Sequence, residues 1–227
     1  MIRLIAAVVA LWPMSVDAAC RQALVLALDV SGSVDAQEYV LQRDGVATAL
    51  ASDAVQALVL APGAAPIQLA VFEWSGPDEQ AMILNWTEIT NAAALSQAIA
   101  TIRSHQRQPQ SPTTALGSAM QRGGALLAQH PSCWKHTLDI SGDGQANTGP
   151  RPQFVDLSQA PAGMIINGLV IGEGDAHGAD HRAANIRELG SYFSAYVTRG
   201  PGAFVETAIG FEAYAAAMER KLIRAVD

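Results

Sequence analysis

The sequence predicts an α/β fold: an open, doubly wound, mostly parallel central sheet flanked by helices. Three observations carry that expectation. Short apolar runs alternate with helical segments along most of the chain. The clearest of these runs is almost unbroken, as a strand buried on both faces of a parallel sheet must be. The residues richest in chemistry sit in tight turns directly after strands, the functional edge of such a sheet.

The first strand is residues 23–28 (ALVLAL). Residues 35–50 follow as a helix, with Asp35 and Glu38 spaced like a capping box and Tyr39, Val40, Val46 and Leu50 on its buried side. After the turn-forming Ala61-Pro62-Gly63, strands are expected at 67–74 (IQLAVFEW) and 81–86. Helices are expected at 91–103 and 115–129, with Pro109 and Pro112 keeping the connection between them extended. Strands at 134–140 and 164–171 each run into a Gly-containing loop. A helix at 181–189, a short strand at 203–206 and a final helix at 211–225 complete the pattern, the last burying Phe211, Tyr214, Met218 and Leu222. Trp74, Trp86 and Trp134 lie in or beside strands, and core packing accounts for them.

Composition narrows the function. The 227 residues are 50% hydrophobic and only 15% charged, which excludes a disordered chain. The net charge of −7 argues against nucleic acid or an anionic membrane as partner. Arg3, an apolar run over 4–12, Pro13 and the small-residue site Val16-Asp17-Ala18 make residues 1–18 a signal peptide. That run is too short to span a membrane, and Asp17 disfavours lipid attachment at Cys20. Residues 19–227 are then one exported domain, periplasmic or secreted, with no transmembrane span expected in it.

Three strand ends carry the chemistry. Asp29-Val30-Ser31-Gly32-Ser33 projects one carboxylate and two hydroxyls from the turn between the first strand and first helix. Ser111-Pro112-Thr113-Thr114-Ala115-Leu116-Gly117 enters a helix with a hydroxyl at its start. Ser141-Gly142-Asp143-Gly144 follows another strand, its glycines allowing close backbone approach. These donors are all hard oxygens, which suits Mg²⁺ or Mn²⁺ better than zinc or copper. Two carboxylates only balance a divalent charge and hydroxyls donate weakly, so such an ion stays electrophilic toward an incoming carboxylate. Each piece alone would pass as a helix cap or an ordinary turn; the set, in chain order, is specific.

The D-x-S-x-S turn at Asp29, Ser31 and Ser33, the T-x-L-G-x-A segment from Thr114 to Ala119, and the Asp143-Gly144 loop resemble the metal-ion-dependent adhesion site of von Willebrand factor A domains. The resemblance covers nearly all of residues 19–227 and is strongest to an exported, single-domain bacterial branch. It implies a Rossmann-like sheet with Mg²⁺ (or Mn²⁺) at its top. Ser31 and Ser33 would coordinate directly, and Asp29, Thr114 and Asp143 directly or through water. An Asp or Glu of another extracytoplasmic protein would complete the shell. Two departures stand out: Ser-Pro before Thr113-Thr114, where the family often has glycines, and Ser-Gly before Asp143, where a Thr is common. Thr114 is preferred to Thr113 for its spacing to Gly117, and Asp143 to Asp139 because Asp139 lies inside a strand.

In that family's sheet the two strands preceded by Cys20 and Cys133 are parallel neighbours, so the resemblance places both thiols at the edge opposite the metal and implies a disulfide between them. Glu173, Asp175, His177, Asp180 and His181 crowd one loop, read as solvated with Asp180 as a cap. Arg103, His105 and Arg107, just before the Thr114 loop, read as a solvated helix end that could also draw in an acidic partner. A competing enzyme reading is a Mg²⁺-dependent phosphoryl hydrolase with Asp29 as nucleophile. That chemistry wants a second acid two residues on, where Ser31 stands, so the sequence favours a binding module over an enzyme.

Overall fold

The computed structural model describes residues 20–172 and 179–226. The signal peptide expected over residues 1–18 and the loop residues Glu173, Asp175 and His177 lie outside the described residues, as do the side chains of Asp180 and His181. In chain order the elements are β1 (Gln22–Asp29), α1 (Ala36–Leu50), α2 (Asp53–Val59), β2 (Ile67–Trp74), β3 (Gln80–Ile89), α3 (Ala92–Ser104) and α4 (Leu116–Leu127). Then come β4 (Lys135–Gly142), β5 (Ile165–Ile171), α5 (Ala179–Tyr192), β6 (Val205–Ala208) and α6 (Tyr214–Val226). A π-helical turn at Phe193–Val197 follows α5, and a 3-10 turn at Phe211–Ala213 leads into α6.

The strands form one six-stranded sheet in the order β3-β2-β1-β4-β5-β6. Every pairing is parallel except β2 with β3, an antiparallel hairpin at one edge. From β1 the chain winds outward to β2 and β3, and from β4 it winds the other way to β5 and β6. The winding direction therefore reverses between β1 and β4, and ligand crevices of doubly wound sheets form at the carboxyl ends of such strands. Asp29 ends β1, and Asp143 directly follows β4.

All eight residues of β1 are buried because helices cover both faces. On one face Leu24, Leu26 and Leu28 pack with residues of α1, α2, α3 and α6, including Val46, Val55, Ile99 and Met218. On the other, Val25 and Ala27 pack with Leu116, Met120 and Leu127 of α4, Leu189 of α5 and Phe193. The capping box of α1 is present: Asp35 accepts from the amides of Gln37 (2.7 Å) and Glu38 (2.8 Å), and the Asp35 amide donates to Glu38 Oε2 (2.9 Å).

Several expectations need correction. Val40 is exposed, while Tyr39, Val46 and Leu50 are buried as expected. Trp134 is 70% exposed and is not a core residue. The short helix α2 was not anticipated, β3 extends beyond 81–86 at both ends, and β6 falls two residues later than 203–206. At the base of the sheet Cys20 and Cys133 form a disulfide, with Cα atoms 4.5 Å apart across a sequence separation of 113. Among the described residues no helix is long and apolar enough to cross a membrane.

Candidate metal centre

The turn after β1 is built around the Asp29 carboxylate. Asp29 is fully buried, and its Oδ1 accepts a hydrogen bond from the Ser31 amide at 2.8 Å. Its Oδ2 is buried with no hydrogen-bond partner. A Cβ at Gly142 would stand 3.2 Å from this Oδ2, so the glycine at the end of β4 lets the two strand ends close around the carboxylate. Burial pushes the Asp29 carboxyl up to about 8, and the negative charge of Asp143 adds to the rise; the Ser31 hydrogen bonds and the Arg107 charge oppose it. Among the described residues no salt bridge involves Asp29.

The turn joins its neighbours by hydroxyl contacts. Ser31 Oγ lies 3.4 Å from Ser33 Oγ, and Ser33 Oγ donates to Asp143 Oδ1 at 2.8 Å. Asp29, Ser31, Ser33 and Asp143 thus form one connected group of oxygen donors drawn from two strand ends. Thr114 is attached less directly. Its loop touches the β1 turn where the Gly32 amide donates to the Pro112 carbonyl at 3.2 Å; a Cβ at Gly32 would stand only 2.9 Å from the Pro112 backbone. Thr114 itself is buried, but among the described residues no hydrogen bond joins its hydroxyl to the other four.

The structure separates the two threonines. Thr113 Oγ1 is 2.8 Å from Ser111 Oγ, so that hydroxyl is engaged within its own loop. The N-cap of α4 is Ala115 with no side-chain cap bond, so Thr114 does not cap the helix as its position in the sequence had suggested. Asp139 is separated from Asp143 as well. It is buried inside β4, 2.9 Å from Lys221 Nζ, and its Oδ1 accepts from Asn167 Nδ2 at 2.9 Å.

Sequence reasoning missed Asn147 and misread Arg107. Asn147 Oδ1 accepts from the Thr114 amide at 2.8 Å, and the Asn147 amide donates to the Thr114 carbonyl at 3.0 Å, locking the second loop to the third. An Asn in a Gly-containing loop is the only local signal it offers. Arg107 is not a solvated helix end: its guanidinium donates to the carbonyls of Val30 (2.6 Å) and Val34 (2.9 Å).

This donor set can hold a hard cation. Among the described residues no three His, Cys, Asp or Glu side chains cluster as a metal site by themselves, so any ion here would depend on the hydroxyls. A bare buried carboxylate oxygen next to a second carboxylate fits a divalent cation, which would supply the missing positive charge. Beside Asp143 a cleft of about 250 Å³ opens between the third loop and α5, lined by Gln145, Asn185, Glu188 and Leu189 among others. In the first turn of α1, burial raises the Glu38 carboxyl above its ordinary value, with the charges of Asp35, Asp143 and Glu212 adding to the effect.

The fold is that of a von Willebrand factor A domain. Proximal thread matrix protein 1 from the mussel byssus, in a structure with a zinc-occupied MIDAS motif, superposes with a TM-score of 0.60 at 17% identity, over 93% of this chain and 47% of that one. The von Willebrand factor type A protein from Catenulispora acidiphila gives 0.59 at 14% identity, over 91% and 43%. The pilus adhesin SpaC from Lactobacillus rhamnosus GG gives 0.57 at 16% identity, over 91% and 31%. The chain therefore spans less than half the length of each of these proteins. By sequence, residues 19–227 match the family described as "Protein of unknown function (DUF1194)", and the chain belongs to that family. No curated protein matches it.

Proposed function

We propose that this protein is an exported, metal-dependent protein-binding module. Asp29, Ser31, Ser33, Thr114 and Asp143 hold a divalent cation, Mg²⁺ or Mn²⁺, and an extracytoplasmic partner protein presents an Asp or Glu to it. The bound ion supplies a Lewis-acidic position for that carboxylate. The chain's own residues do the rest. Asp29 and Asp143 provide the negative charge, Ser31, Ser33 and Thr114 provide neutral oxygens, and Gly142 leaves the space that keeps Asp29 Oδ2 bare.

The observation that carries this reading is the Asp29 carboxylate: fully buried, with one oxygen unpartnered and the second carboxylate of Asp143 nearby. A carboxyl in that setting either keeps its proton or gains a cation, and a divalent ion would hold it ionised at neutral pH. The mussel protein's occupied motif and the pilus adhesin are consistent with metal use and adhesion on this fold. The Cys20–Cys133 disulfide fits an oxidising compartment outside the cytoplasm.

The test is capture from an envelope extract on immobilised protein, with Mg²⁺ or with chelator, beside Asp29→Ala. A partner retained only by wild type in Mg²⁺ is expected. A partner held equally with chelator and by Asp29→Ala would contradict the proposal. So would phosphate-ester turnover abolished by the same substitution, since that would make Asp29 a nucleophile.

A further inference from the structure

We infer that Arg107 is a positioning residue of the candidate metal centre: from beneath, its guanidinium fixes the turn bearing Ser31 and Ser33, and buried Glu73 anchors the strap that carries it. This inference rests on the metal reading above and concerns what holds the ligands in place.

Arg107 lies in the segment between α3 and α4, within a stretch of irregular backbone over residues 105–110. Its Nη2 donates to the Val30 carbonyl at 2.6 Å and approaches the Ser31 carbonyl at 3.3 Å, while Nη1 donates to the Val34 carbonyl at 2.9 Å. These carbonyls bracket Gly32 and Ser33. Three carbonyl oxygens drawn toward one point repel one another unless a cation gathers them. A planar guanidinium does this in a fixed fork, and a Lys ammonium cannot reproduce that geometry. With the carbonyls held on one side, the Ser31 amide and the two hydroxyls are directed to the other, toward Asp29 and Asp143. Arg107 carries no acceptor and so is not itself a ligand.

The strap needs its own anchor, and Glu73 is that anchor. Glu73 is fully buried on β2, paired in register with Leu28 of β1, one residue before Asp29. Its Oε1 accepts from the Gln108 amide at 2.9 Å and from Gln110 Nε2 at 3.3 Å, and His105 Nε2 lies 3.5 Å away. Its Oε2 accepts from Tyr39 Oη at 3.1 Å, and the Arg107 guanidinium stands 5.6 Å from the centre of the Tyr39 ring. A single carboxylate thus gathers residues on either side of Arg107 and the ring it rests against. The charges alternate inward: Glu73, then Arg107, then the carbonyls of the turn.

The test uses the full chain with Mn²⁺ as probe, comparing wild type, Arg107→Lys, Glu73→Gln and the double variant. Calorimetry reads Mn²⁺ affinity, melting of the metal-free protein reads stability, and hydrogen exchange of the Gly32, Ser33 and Val34 amides reads the turn without metal. Residues that orient metal ligands typically change affinity about tenfold to a hundredfold, so Arg107→Lys is expected to weaken Mn²⁺ about tenfold or more. Glu73→Gln should weaken it by less, and the double variant should be no worse than about twofold beyond Arg107→Lys, because both act through one strap. Exchange in the turn should quicken in every variant. Wild-type Mn²⁺ affinity and wild-type exchange in Arg107→Lys would overturn the inference. So would affinity losses that simply track melting temperature across the variants. If wild type binds no Mn²⁺, the metal reading fails instead, and the exchange data alone decide whether Arg107 holds the turn.

Discussion

Asp29 and Asp139 sit on adjacent parallel strands, both buried, and each has an Oδ2 without a hydrogen bond. Their surroundings differ in charge. Asp139 has Lys221 Nζ at 2.9 Å and the Asn167 amide on the same oxygen, so its charge is compensated inside the fold. Asp29 has the Ser31 hydrogen bonds and the weaker pull of the Arg107 charge, with Asp143 opposing them, and burial pushes it up to about 8. Three register positions back from the strand end, a buried acid is paired with a lysine inside the fold; at the strand end, among the described residues, a buried acid has no salt bridge. Buried charge is costly wherever it lies, so the less compensated of the two carboxylates is the one the proposal assigns to a ligand.

The largest expected effect sharpens the compensated side. Lys221→Met leaves Asp139 buried without its cation and should cost about 3–5 kcal/mol in urea unfolding, whereas replacing both partners by apolar residues should recover most of it. A loss below about 1 kcal/mol would show that Asp139 is no better compensated than Asp29. At the base, Cys20→Ser with Cys133→Ser should cost about 2–4 kcal/mol under oxidising conditions.

The third prediction concerns the open side and has the opposite sign. Below about pH 4 Asp29 is protonated in both folded and unfolded chains; between about 4 and 8 only the folded chain keeps its proton. The unfolded state then binds fewer protons, so metal-free stability should fall as pH rises through that window. Asp29→Asn removes that slope and should stabilise the metal-free protein at pH 8 by about 1–3 kcal/mol. Metal-free stability that instead rises from pH 4 to 8, with Asp29→Asn weaker than wild type, would contradict this. The smallest effect separates the threonines: Thr113→Val should change stability by less than about 1 kcal/mol and Mn²⁺ affinity hardly at all. Thr114→Val should weaken Mn²⁺ clearly, and calorimetry on the two variants compares them directly.

Local pattern revealed what local physics controls. β2 was placed at its observed limits, and β1 nearly so, because a strand buried on both faces is written as a continuous apolar run. The three oxygen-bearing turns were legible because they directly follow strands or enter helices. What escaped reading depends on distant partners. β6 is half-polar at the sheet edge, and pairing of Val205 with Gly168 decides where it begins. The seven residues of α2 follow α1 with no Gly or Pro between them, so Ser52, which caps α2, gave the boundary only in the fold. Trp134 lies one residue past Cys133 at the base of the sheet, where an aromatic that looks like core stays in solvent. Glu73, Arg107 and Asn147 read singly as an ordinary strand, helix-end and loop residue. Their roles arise from contacts with residues 33 to 77 positions away in the chain.

The most direct measurement is calorimetric titration of the metal-free full chain with Mn²⁺ at pH 8, for wild type, Asp29→Asn and Asp143→Asn. Saturable binding at one site in wild type, lost in Asp29→Asn and strongly weakened in Asp143→Asn, is the expected result. No binding by wild type, or equal binding by Asp29→Asn, would contradict the assignment of the open carboxylate to a cation.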